Sequence, residues 1–167
     1  MTASRLTAAM FSTEGMERIF SGQNTVQRML DFEAALARAE AVEDIVPPRA
    51  AAVIAACCDV AHIDLDALTQ AAAQAGNLAI PLIKQLTATV AARDPEAANY
   101  VHWGATSQDV IDTGMVLQLR EAIDLIVVDL AVFADTLAGL ALHHRSTPVI
   151  GRTWMQHALP VTFGLKV

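Results

Sequence analysis

Residues 107–144 read SQDVIDTGMVLQLREAIDLIVVDLAVFADTLAGLALHH, and the fold turns on this stretch. Val116, Leu119, Ile123, Ile126, Leu130, Phe133, Leu137 and Leu140 recur at alternating steps of three and four, the spacing of a heptad seam. Leu117, Leu125, Val128 and Val132 fall off the seam, so the predicted helix is apolar on more than one side. At 1.5 Å per residue it would be roughly 57 Å long. A rod so long and so apolar cannot hide its surface within 167 residues. It needs a bundle, most simply one shared between subunits.

Polar segments flank the rod. Upstream lies HWGATSQD (102–109), in which Thr106 and Asp109 stand in the Thr-x-x-Asp relation of a capping box. Downstream, Thr147-Pro148 breaks the helix and GRTWMQHALPVTFGLKV (151–167) follows. Its last residues read as the opening of another apolar helix that stops at Val167 without a glycine cap or a polar tail. The expectation is therefore an amino-terminal portion of something longer.

Before Tyr100 the chain reads as short helices, over residues 14–20, 24–44, 49–58, 64–75 and 81–92. In the second of these, Val26, Met29, Leu30, Leu36 and Ala37 form the apolar stripe, with Arg28, Glu33, Glu40 and Glu43 expected on the remainder. Asp64 suits a helix cap, Gly76-Asn77 a helix end, and the prolines at 47, 48 and 81 helix starts. No segment alternates long enough to predict a strand. The expected class is all-α: an amino-terminal helical domain over 1–105, and the incomplete start of a central bundle domain over 106–167.

Composition agrees. Apolar residues make up 54% but aromatics only 5%, so the apolar mass is aliphatic and favours helices over sheets. The net charge of −7, with no basic run, is a poor match for nucleic acid or an anionic membrane surface. No unbroken run of about 18 apolar residues is present, so no membrane span is expected. Cys57 and Cys58 are neighbours without a third partner, which gives no disulfide framework and suggests core residues. No metal-ligand spacing stands out, and no cofactor is expected. The first fifteen residues lack the apolar stretch of a signal peptide. A cytoplasmic, reducing compartment is the expectation.

Three polar clusters interrupt this apolar chain. Hydroxyls and amides of HWGATSQD at a helix start offer a seat for a carboxylate or phosphate, although Thr106 and Asp109 also serve as a plain cap. Gly151-Arg152-Thr153-Trp154-Met155-Gln156-His157 is dense in polar groups that need partners or a ligand if buried, or is an inter-helix loop whose Arg pairs with an acid. His143-His144-Arg145 reads as a solvated helix end, with His144 still in register with the seam.

The ordered pair HWGATSQDVIDT and GRTWMQHALPVTFGLK, separated by one long helix, resembles the first two signature regions of the fumarase/aspartase superfamily. LDFEAALARAEA before a proline-started helix extends the resemblance over essentially the whole chain. The resemblance implies a homotetramer with a central bundle of long helices from four subunits. Most members carry Gly-Arg-Thr-His where this chain has Trp154. GRTW-x-QHA is similar instead to the lactone-forming branch, which closes a carboxylate of a carboxymuconate onto its conjugated double bond in the protocatechuate branch of the β-ketoadipate pathway.

On that resemblance His102 and His157 are the candidate catalytic residues. Thr106, Ser107, Arg152, Thr153, Trp154 and Gln156 would bind a tricarboxylate substrate, with no metal and no cofactor. The superfamily's third region, a flexible Gly-Ser-Ser-x-Met-Pro-x-Lys-x-Asn loop with its catalytic serine, is absent from these residues. Family sites combine the three regions from three subunits, so a polypeptide of residues 1–167 alone is expected to be inactive. An adenylosuccinate-type carbon–nitrogen lyase, against which Trp154 argues, and a non-catalytic helical oligomerisation module are the alternatives.

Overall fold

The computed structural model describes residues 10–167; the first nine residues, part of the stretch read for a signal peptide, lie outside it. The chain packs as two compact units, up to Ala122 and from Ile123 onward.

The first unit is helical. Helices α1 (Glu14–Ile19), α2 (Gly22–Val42), α3 (Pro48–Cys57), α4 (Leu65–Ala75) and α5 (Ala79–Arg93) follow one another, with 3-10 turns at Val60–His62 and Ala97–Tyr100. Their limits follow local chemistry. The Ser21 hydroxyl accepts from Asn24 N at the start of α2, and Asp64 accepts from the amides of Asp66 and Ala67 at the start of α4. Gly76 ends α4 in the left-handed conformation at φ +63°. Asn77 Oδ1 takes the amides of Ala79 and Ile80, so α5 begins two residues before Pro81, which sits in its first turn.

The core gathers Met29, Leu30, Ile54, Leu68, Leu82, Leu86, Val90 and Val110, with Cys57 and Cys58 among them as expected. One assignment needs correction. Glu33 and Glu40 belong to the buried stripe of α2, beside Leu30 and Ala37, and not to its outer face.

Helix α6 spans Ser107–His143 without a break, close to the extent predicted. Its first turns dock on α2: a Cβ on Gly114 would come within 2.9 Å of the Met29 side chain. The buried Gln118 donates to Ile19 O at 2.6 Å and to Thr25 Oγ1 at 3.1 Å. Arg28 Nε lies 2.6 Å from Glu121 Oε1. Beyond Ala122, Ile123, Ile126, Val127, Val128, Leu130, Val132, Phe133 and Leu140 are all exposed. By length and composition this helix is long and apolar enough to cross a membrane, although Asp124, Asp129 and Asp135 keep it from being an unbroken apolar run.

The second unit corrects the expectation that no segment forms a strand. Residues 148–162 form an antiparallel hairpin of β1 (Pro148–Thr153) and β2 (Gln156–Thr162). Each strand is too short and too interrupted by proline and glycine to show an alternating pattern, while the last residues do open a helix as expected. Thr153 faces Gln156 across the two-residue turn Trp154-Met155, Arg152 faces His157, and Ile150 faces Pro160. The register slips by one between Ile150 and Arg152, so Gly151 faces both Ala158 and Leu159 in a bulge. A Cβ on Gly151 would lie 2.5 Å from Leu159 O, which explains the glycine. A last turn, α7 (Phe163–Lys166), returns to the end of α6: Phe163 N donates to Thr147 O, and Gly164 packs against Ala141 O too closely for a side chain.

Candidate functional site

The candidate residues form two groups, one in each unit. The first is built on the turn between Tyr100 and α6. His102 stands at φ +57° and Gly104 at φ +69°. For histidine this left-handed conformation costs about 1–2 kcal/mol, and strain of this kind persists where surrounding contacts fix it. The fixing contact here is with α2: His102 Nδ1 lies 2.6 Å from Glu33 Oε1. The Glu33 side chain is wholly buried, and its Oε2 has no hydrogen-bond partner among the described residues. Burial pushes the Glu33 carboxyl above the ordinary range, while the His102 ring pulls it back and the nearby Glu40 adds to the rise. Glu33 is the site residue that the sequence reading missed. Its signal was register: it lies four residues after Met29, three after Leu30 and four before Ala37, all buried.

Trp103, half exposed, meets Tyr100 in a tilted pair with ring centroids 6.0 Å apart. Thr106 takes the cap position before Ser107. Its amide and its hydroxyl both donate to Asp109 Oδ2, at 2.8 and 3.0 Å. These bonds, the backbone one foremost, hold the Asp109 carboxyl below its usual range. Half of the predicted capping box is thus present: Asp109 reaches back to the Thr106 amide, while the Thr106 hydroxyl turns to the same carboxylate instead of the Asp109 amide. Ser107, half-buried at the start of α6, makes no side-chain hydrogen bond among the described residues.

The second group lies on the hairpin. Arg152, Thr153, Gln156 and His157 are all exposed and confined to its last two cross-strand pairs. Trp154 and Met155, each 91% exposed, make the tip, with Met155 at φ +61°. The hairpin therefore sets the Thr153 hydroxyl and Gln156 carboxamide on one face, and the Arg152 guanidinium and His157 imidazole on the other, in the two pairs next to the projecting Trp154 indole. These groups can bind a carboxylate by hydrogen bonds and charge. The alternative of an inter-helix loop is excluded by the strand pairing.

The third cluster is structural. His144 stacks edge-on to His143 and to Phe163, at 4.7 and 5.0 Å, and its Nδ1 lies 3.2 Å from Thr147 Oγ1. It fastens the turn after α6 to α7.

Comparison with known proteins agrees with this architecture. Residues 6–167 match the lyase family. The chain is 56% identical, over 95% of its length and 38% of the relative's, to 3-carboxy-cis,cis-muconate cycloisomerase of Pseudomonas putida. The crystal structure of the 3-carboxy-cis,cis-muconate lactonizing enzyme from Pseudomonas putida superposes with a TM-score of 0.92 at 56% identity, covering 96% of this chain and 37% of that one. That of the β-carboxy-cis,cis-muconate cycloisomerase from Acinetobacter calcoaceticus sp. ADP1 gives 0.94 at 43% identity, covering 97% and 38%. The chain thus spans a little over a third of the length of the relatives it matches.

Proposed function

The chain belongs to this lyase family, and on that premise we propose that the protein to which it contributes closes 3-carboxy-cis,cis-muconate to 4-carboxymuconolactone. The observation that carries the reading is the tryptophan at the hairpin tip, between Thr153 and Gln156, in a chain 56% identical to a cycloisomerase. In the reaction a substrate carboxylate oxygen bonds to one carbon of the conjugated double bond, and the neighbouring carbon takes up a proton. A carboxylate has a reference pKa near 4 and attacks as the anion it already is, so its nucleophilicity needs no base.

The residues divide the remaining work. Ser107 and the free amides at the start of α6 receive one substrate carboxylate, where donors and helix dipole both favour an anion. Thr106 joins them when its hydroxyl leaves Asp109. Thr153 and Gln156 hold another carboxylate from one face of the hairpin, Arg152 offers its charge to the tricarboxylate from the other, and Trp154 lies against the flat diene. His102 and His157 supply positive charge or a proton. Negative charge develops on the carboxylate next to the carbon being protonated, so fixed donors there contribute most to the rate, about 3 kcal/mol each.

The long helix fits the same reading. Asp124, Asp129 and Asp135 recur along its exposed stretch, and a carboxylate at mid-bilayer costs about 3 kcal/mol. A bundle of four subunits covers the apolar surface while leaving carboxylates at its edges, so a homotetramer in the cytoplasm is the assembly proposed. The amine-releasing and non-catalytic alternatives are not favoured by the relatives. The test is direct: full-length protein mixed with 3-carboxy-cis,cis-muconate should bleach the diene absorbance and yield the lactone by NMR. An unchanged diene in a folded, tetrameric preparation would refute the proposal.

A further inference from the structure

We propose that Glu33 is the positioning residue for His102: it turns the imidazole and keeps the proton on Nδ1, so that Nε2 is presented to the substrate. This rests on the reading that His102 works on the substrate, and it adds a residue from the amino-terminal helices to the site.

Three observations carry it. The Glu33 carboxylate is wholly buried, and its hydrogen bond to His102 is its only one among the described residues. A buried carboxylate is unfavourable unless paired, and packing alone would be served better by an apolar residue in the stripe of Leu30, Ala34 and Ala37. The 2.6 Å separation is that of a charge-assisted bond. Finally, the left-handed backbone at His102 faces its ring toward α2, while Nε2 makes no hydrogen bond among the described residues. A carboxylate on one ring nitrogen and an open second nitrogen is the arrangement by which a protein fixes a tautomer and orients a working imidazole.

The test uses full-length protein. Glu33→Gln keeps the volume but removes the charge, and its amide can hold either tautomer. We expect kcat to fall about 100-fold, in the range that positioned acid–base groups contribute, with KM little changed; Glu33→Asp should recover part of the loss. Imidazole ¹⁵N spectra above neutral pH should show His102 protonated at Nδ1 in the wild type and shifted toward Nε2 in Glu33→Gln. Wild-type kcat in folded Glu33→Gln, with His102→Gln inactive, would overturn the positioning role and leave the functional reading standing. Full turnover by His102→Gln would remove His102 from the mechanism and the proposal with it. Should Glu33→Gln fail to fold, the wild-type spectrum decides: a neutral His102 protonated at Nε2 overturns the proposal.

Discussion

Trp154 stands where the resemblance to the superfamily leads one to expect a histidine, and on the proposed lactonization the chemistry of the leaving group accounts for it. Releasing an amine at neutral pH requires a general acid; opening or closing a lactone through a carboxylate does not. Trp154→His should therefore leave lactonization near the wild-type rate in steady-state assays, and a gain approaching 100-fold, the scale of a restored acid, would contradict this account. The cysteines carry the opposite lesson, of residues without chemistry. Burial, with Glu33 and Cys57 adding to it, pushes the Cys58 thiol up to about 12, and burial raises Cys57 as well. Since the thiolate is the reactive form, native protein at pH 8 should label with a disulfide reagent only as fast as it unfolds, both thiols together. Rapid labelling in the absence of denaturant would show the core to be open. The inert role of the cysteines was legible from their position in an apolar helix. Glu33 was not: LDFEAALARAEA reads as an amphipathic helix with glutamates outward, and only the register of Glu33 with Met29 and Ala37, together with His102 reaching it across 69 positions, reveals its inward direction.

Helices were legible because caps and prolines mark their ends locally: Asp64, Gly76 and the proline pair at the start of α3 act within one turn of chain. The hairpin was not, because β pairing is a relation between two segments and neither is distinctive alone. Pro148, Gly151 and Pro160 all disfavour a strand interior, yet each is accommodated, the prolines as the first residue of β1 and near the bulge, the glycine opposite Ala158 and Leu159. Gly151 controls the geometry of the tip. A methyl there would meet Leu159 O at 2.5 Å, and that neighbour is backbone, with no rotamer by which to withdraw. Gly151→Ala should flatten the bulge or part the strands, costing about 1–3 kcal/mol as overpacking does. It should also lower kcat/KM for lactonization by displacing Arg152, Thr153, Gln156 and His157 together. Wild-type thermal stability and turnover in this variant would show that the bulge does not set the site.

The proposed assembly rests on the surface that the long helix leaves uncovered. Along α6 beyond Ala122 the apolar side chains face outward for some twenty residues, and a large contiguous apolar patch on a protein surface marks an interface. Burying a side chain such as Ile126 or Phe133 contributes about 1.5–3 kcal/mol, so a few such positions per helix suffice to hold a bundle, and a charge placed among them reverses the sign. Ile126→Asp combined with Phe133→Asp, exposed here at 46% and 59%, should leave the amino-terminal helices folded because neither residue belongs to their core. In the full-length protein the double variant should lose the tetramer by light scattering and keep most of its helical circular dichroism. It should lose lactonization in parallel with mass, since the proposed site draws on several copies. A double variant that stays tetrameric would place the subunit interface on another face of the helix. One that dissociates yet turns over substrate at the wild-type rate would show that a single copy suffices for the chemistry.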